Sequence, residues 1–207
     1  MPDDTQDLAN AEPFKILKSA DDTDGACVRF EATLYPAPDA PGRAALPHHR
    51  WAADNGDEHV HPNQEEIFRV RSGTYRVIVG DTDRTLTEGE EIKLPRNTPH
   101  RHFNPADRPA RVIKEDRPAR NSEAFFSALY ALAQAGKTDE DGLPSFLQFA
   151  VLQDEYPGHA YMTDLPVGVQ KALFTLLALL GRLLGYDAGP PLEDAGAPKD
   201  PKSPPVD

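Results

Sequence analysis

The sequence predicts an all-β core, an antiparallel sandwich or barrel, followed by an appended helical region. Three observations lead there. Between residues 14 and 115, short runs rich in β-branched and aromatic residues follow one another, separated by turn signals and with no helical periodicity between them. After Pro118 the apolar spacing becomes helical. At 207 residues the chain can bury one substantial core with a smaller addition.

In chain order, residues 1–11 read as a flexible leader and residues 12–118 as the barrel. Strands are expected over 14–17, 26–35, 59–61, 65–71, 74–79, 84–86, 91–94, 100–104 and 110–115. "PAPDAPGRAALP" separates the second strand from the third as a loop. "GDTD" after Val79 has the composition of a tight hairpin, and "TEGEE" and "NPADRP" mark further turns. A helical extension is expected over 119–186. "SEAFFSALYALAQAG" sets Phe125, Leu129 and Leu132 on one face, with Phe126, Tyr130 and Ala133 beside them. Ser122 stands where an N-cap would, and Gly136 where the helix should stop. "LPSFLQFAVLQDEY" and "VGVQKALFTLLALLGRLLGY" supply two more helices. Residues 187–207 are Pro-, Gly- and charge-rich and are expected to be disordered.

The last helix carries Lys171, Thr175, Ala178 and Arg182 on one narrow stripe and leucines over the rest. Its uncharged run, 172–181, is short of the roughly 20 apolar residues that a membrane span needs. Burial on most of its circumference is expected, under the barrel or in a homodimer interface; membrane contact through 165–185 is the alternative.

Composition narrows the function. The net charge is -12, with 34 acidic and 22 basic residues, and no basic patch is visible, which argues against nucleic acid as a partner. Cys27 is the only cysteine, so neither an internal disulfide nor a thiolate metal site can form. The acidic start "MPDDTQDLAN" lacks the features of a secretory signal, so a cytoplasmic location is expected. No Ser/His/Asp elbow, phosphate loop or calcium loop is present.

The chemistry-bearing stretch is "HVHPNQEEIFRVRSG", residues 59–73. His59 and His61 are two apart, so in a strand both imidazoles aim at one point. Glu66, Phe68 and Val70 share one face of the next strand, and Glu65, Ile67 and Arg69 the other, so alternation does not choose between the glutamates. A further histidine, His100, follows the "PRNTP" turn with His102 on the same face. Two imidazoles, a carboxylate and a third imidazole would make a nitrogen and oxygen site for one divalent transition metal: iron, manganese, nickel, zinc or copper.

These two stretches resemble the paired signature motifs of the cupin superfamily, jelly-roll β-barrels of the RmlC-like kind. The first motif reads His59, His61, Glu66 and Gly73; the six-residue interval before Gly73 selects Glu66. The second reads Gly89, Pro95, His100 and Asn104. The family's usual glycines are replaced by Ala53 and Asn97, and asparagine tolerates the left-handed backbone such a turn requires. The resemblance implies a cupin-type jelly roll with His59, His61, Glu66 and His100 as metal ligands.

Phe68, Val70, Tyr75 and Val77 are expected to line the pocket around a small-molecule ligand. Glu65 is expected to face solvent or an arginine. His48 and His49 read as loop residues. Lys114 and Arg76 would turn inward only if the register slipped by one residue. His102 has three readings: a catalytic acid or base, a hydrogen-bonding positioner of Glu66, or packing. The function expected is a metal-dependent, dioxygenase-like oxidoreductase acting on a small, largely apolar or aromatic oxygen-bearing molecule. The alternatives are a non-enzymatic binding cupin and a metal-dependent isomerase.

Overall fold

The computed structural model describes residues 14–36, 57–139 and 142–189. The expected leader, His48, His49, Ala53 and most of the expected tail lie outside these residues. Strands β1 (Phe14–Lys18), β2 (Val28–Leu34), β3 (His59–Val60), β4 (Glu65–Ser72), β5 (Thr74–Val79), β6 (Thr82–Thr87), β7 (Glu91–Leu94), β8 (His100–Phe103) and β9 (Ala110–Arg117) form the core. They are followed by helices α1 (Ser122–Gln134) and α2 (Phe146–Glu155), strand β10 (Tyr161–Met162) and helix α3 (Val167–Leu183). One antiparallel sheet runs β1-β2-β9-β4-β7 and the other β10-β3-β8-β5-β6. These two sheets make the core, with a distinct C-terminal helical segment.

Alternation explains the sheets. In β4, Glu66, Phe68 and Val70 are buried while Arg69 and Arg71 face water. Phe30, Phe68, Tyr75, Val77, Leu86 and Val112 meet between the sheets, and Phe125, Phe126 and Leu129 of α1 join the same core. The expected strands are found with ends shifted by at most two residues, and two features need a separate account. Strand β3 stops at Val60 ahead of Pro62, which has no N–H to continue a ladder, and the His61 carbonyl instead accepts from Asn97 N–H at 2.8 Å. Strand β10, absent from the sequence reading, pairs Tyr161 with Val60 and Met162 with His59, so the helical segment contributes an edge to the second sheet.

The motif positions are held by local chemistry. Asn97 takes the left-handed conformation (φ 58°). The buried Asn104 amide donates to the carbonyls of Leu34 and Arg108, and its oxygen accepts from Ala106 N–H. Buried Gln64 donates to the Pro118 and Ala119 carbonyls and to Ser122 Oγ, tying the β3–β4 connection to the start of α1. Ser122 is therefore an anchor within the first turn, and Asn121 occupies the N-cap position without a side-chain cap. Gly136 ends α1 as expected, with φ 68° and the Lys137 N–H donating to the Leu132 carbonyl.

Helix α3 reverses its expected orientation. Its buried residues are Gln170, Phe174, Ala178 and Gly181. The polar stripe lies on the α2 side: Arg182 pairs with Asp154 and Glu155, and Thr175 donates to Asp154. At Gly181 a Cβ would sit 2.7 Å from Val151 Cγ2, so glycine permits this close approach. The leucines point outward, so the expectation of burial on most of the circumference does not hold for the single chain. No helix among the described residues is long and apolar enough to cross a membrane.

Gly73 turns β4 into β5 with φ 81°, and a Cβ there would lie 2.9 Å from that of Ala110. Gly73→Ala combines left-handed strain with a clash against β9. It is expected to lower unfolding free energy by about 1–3 kcal/mol in urea denaturation; unchanged stability would show that the turn relaxes without cost.

Candidate metal centre

The two sheets bring their polar residues to one point. His59 and His100 are direct partners across β3 and β8, and His102 follows on the same face of β8. Glu66 approaches from the opposite sheet, on β4. One ligand atom from each of His59, Glu66, His100 and His102 lies within 4.8 Å of the others. Such a buried set of three imidazoles and a carboxylate is that of a mononuclear divalent-metal site in a cupin, with the ion's identity left open by its mixed nitrogen and oxygen donors.

The hydrogen bonds on the far side of each ring decide where the lone pairs point. Nδ1–H of His59 donates to the Asp57 carbonyl at 2.9 Å, and Nδ1–H of His100 to the Thr98 carbonyl at 2.8 Å. A carbonyl can only accept, so both rings carry their proton on Nδ1 and turn a bare Nε2 inward. His102 Nδ1 meets the Tyr75 hydroxyl at 2.6 Å, and its ring packs on Phe68. His61 differs: neither ring nitrogen has a hydrogen-bond partner, and its Nε2 is 3.3 Å from Glu66 Oε1. The tightest ligand cluster thus contains His102 in place of the His61 that the motifs imply, with His61 beside it.

Burial dominates the electrostatics. It pushes His59 down to about 4, and holds His61 and His102 well below the usual imidazole range. Burial also opposes ionisation of Glu66, but His61, Lys114 and His100 outweigh it and hold the carboxyl well below its ordinary value. The ammonium beside the carboxylate is that of Lys114, whose Nζ lies 2.5 Å from Glu66 Oε1. Glu66 is 1% exposed, and its second oxygen, Oε2, lies 2.8 Å from His100 Nε2. A buried carboxylate facing the proton-free Nε2 atoms of His59 and His100 fits a bound cation.

The cavity above the cluster measures about 160 Å³. Its polar end is formed by His59, His61, His102, Lys114 and His159, and its wall by Phe125, Phe126, Leu129, Phe149 and Phe174 from the three helices. Phe68, Val70, Tyr75 and Val77 do not line it; they are fully buried beneath, Tyr75 and Phe68 supporting His102. Helix α1 lies over the barrel and replaces them as the wall. Lys114 corrects a second expectation: it pairs with Phe68 across β4 and β9 and shares the inward face with Val112 and Asp116. Arg76 points outward to Asp83, and Glu65 pairs with Lys93 rather than an arginine. His159 was not foreseen. It sits between α2 and β10, stacked on Phe125 and 4.8 Å from the His61 ring, with Nδ1 3.2 Å from Ser122 Oγ. Nothing in "YPGHAY" marks it; only the fold brings it to the barrel mouth.

Comparisons with known proteins find similarity over parts of the chain. The Cupin domain family (Cupin_2) matches residues 51–114. Protein SchB of Streptomyces halstedii is 34% identical over 56 residues, 27% of this chain and 41% of that protein, so the match spans less than half of the relative's length. Among solved structures, KdgF from Halomonas sp. is similar over 55% of this chain and 88% of its own, with 19% identity and a TM-score of 0.39. The DMSP lyase DddQ from Ruegeria pomeroyi is similar over 45% of this chain and 39% of its own, with 19% identity and a TM-score of 0.33.

Elemental analysis of protein purified without chelator is expected to find one divalent metal per chain, lost in Glu66→Gln and in His100→Asn. The Nδ1 partners predict that His102→Asn loses more metal than His61→Asn, by about 10-fold or more in affinity. The reverse order would restore the ligand set implied by the motifs.

Proposed function

The chain carries a cupin domain with an appended C-terminal helical region, and on that premise we propose that it is a metal-dependent enzyme for a small, largely apolar or aromatic molecule with an oxygen-bearing end. The chemistry proposed is proton transfer of the isomerase or lyase kind, in place of the dioxygenase activity expected first. Lys114 carries this reading. A buried ammonium lines the cavity beside the metal cluster, 2.5 Å from Glu66. A divalent ion held by the cluster supplies Lewis-acid polarisation of a substrate oxygen.

The chain's own residues do the rest. The Lys114 charge, with its Nζ 4.5 Å from the Phe126 ring centroid, is fixed where negative charge on a substrate oxygen would develop. Phe125, Phe126, Phe149 and Phe174 exclude water and hold an apolar or aromatic body. His61, with both ring nitrogens unengaged, is placed to hold a proton at Nε2. The histidines and Lys114 are the cavity-lining groups proposed to bind an oxygen-bearing end, since Gln153 and Gln170 already donate to backbone carbonyls.

The test is hydrogen exchange at carbon. Metal-loaded protein in D₂O is incubated with small aryl ketones and hydroxyketones, with and without dioxygen, and exchange is followed by NMR. Exchange independent of dioxygen is expected, slowed about 100-fold in Lys114→Met at unchanged metal content. Dioxygen uptake without exchange would favour the dioxygenase reading. Ligand binding with neither would favour a non-enzymatic binding cupin.

A further inference from the structure

Helix α3 presents two different faces. One, formed by Gln170, Phe174, Ala178 and Gly181, is buried against the rest of the chain. On the other, Val169, Leu173, Leu176, Leu180 and Leu183 follow at spacings of four, three, four and three, and all five are exposed. Leu176 is 66% and Leu183 84% exposed, and Leu179 and Leu184 flank the row, also exposed. A 3-4 repeat keeps one continuous apolar seam along the helix, the pattern that faces a partner helix in a paired contact. The face is far more apolar than scattered surface leucines.

We propose that this face is a self-association surface, occupied by α3 of a second copy of the chain in a two-fold, isologous contact centred on Leu176. Three observations select that occupant. The exposed side chains amount to roughly 800 Å² per protomer, about what each partner contributes to a standard interface. The sequence outside the described residues offers no apolar repeat to match the face, its large apolar residues being only Met1, Leu8, Leu46, Trp51, Leu192 and Val206. Charge points the same way. The helix's two charged residues lie off the seam, Arg182 on Asp154 and Glu155, and Lys171 with its ammonium 5.7 Å from the Tyr161 ring centroid. An uncharged seam can meet its own copy without repulsion, while a net charge of -12 with no basic residues on the face disfavours an anionic lipid surface.

The contact bears on the cavity, because Phe174 and Gln170 of the same helix line it. Pairing along one side of α3 fixes the wall that its other side provides.

The experiment measures mass by light scattering and sedimentation, across a wide range of concentration, for the full chain and three variants. The wild type is expected at twice 22.7 kDa, with association strengthened by salt as the acidic bodies are screened. Leu176→Glu with Leu180→Glu is expected to weaken the dimer by about 100-fold or more while leaving circular dichroism and metal content unchanged. Leu183→Lys alone, at the most exposed position, provides the same readout should the double variant misfold. Leu17→Glu, on an exposed position of β1, is expected to leave the dimer intact. A wild type that stays monomeric, whether or not it binds neutral or anionic lipid vesicles, overturns the proposal. So does a dimer that Leu17→Glu breaks and the α3 substitutions do not.

Discussion

An ionised carboxylate lies between two sheets, and the arrangement around it follows from the need to compensate its charge. Burying Glu66 costs several kcal/mol unless opposite charge and directed partners replace water. Lys114 supplies one cation from the adjacent strand β9. Burial disfavours a second cation on His59, His61 or His102. What the histidines contribute is Nε2 lone pairs, fixed in direction for His59 and His100 by the Asp57 and Thr98 carbonyls. Lone pairs and carboxylate oxygens converging in a dry interior repel one another, and a divalent ion relieves that repulsion. Metal binding and the stability of the two-sheet core are therefore coupled.

Much of this was legible before any coordinates. The spacing of His59, Glu66, Gly73, His100 and Asn104 fixes where the chain turns and which faces look inward, and Asn97 takes the left-handed turn that its identity allowed. What sequence could not supply was the relation between distant faces. Glu66 and Lys114 are 48 positions apart, and their meeting depends on the register of β4 against β9, which a one-residue slip would reverse. The roles of His61 and His102 were equally out of reach. Both share the periodicity of a ligand strand, but β3 ends at Val60, and Tyr75 on a neighbouring strand engages His102.

The helical segment shows the same limit from another side. Helical spacing located α1, α2 and α3, yet an apolar face does not say what it covers. Phe125 and Phe126 roof the cavity as well as joining the core. His159 reaches the site because β10 draws its loop beside β3. In α3 the narrow polar stripe, the natural candidate for the solvent side, turns toward the acidic end of α2, where Asp154 and Glu155 pair with Arg182. Local ion pairs and the close approach at Gly181 set the rotation of this helix, and the leucine seam is left exposed.

The central claim is that three imidazoles and the Glu66 carboxylate hold one ion. X-ray absorption of the zinc-loaded protein tests it directly. A first shell of about four nitrogen and oxygen atoms near 2.0–2.2 Å, with outer-shell scattering from three imidazole rings, is the predicted spectrum. A shell of oxygens alone, or one with fewer than two imidazoles, would contradict it.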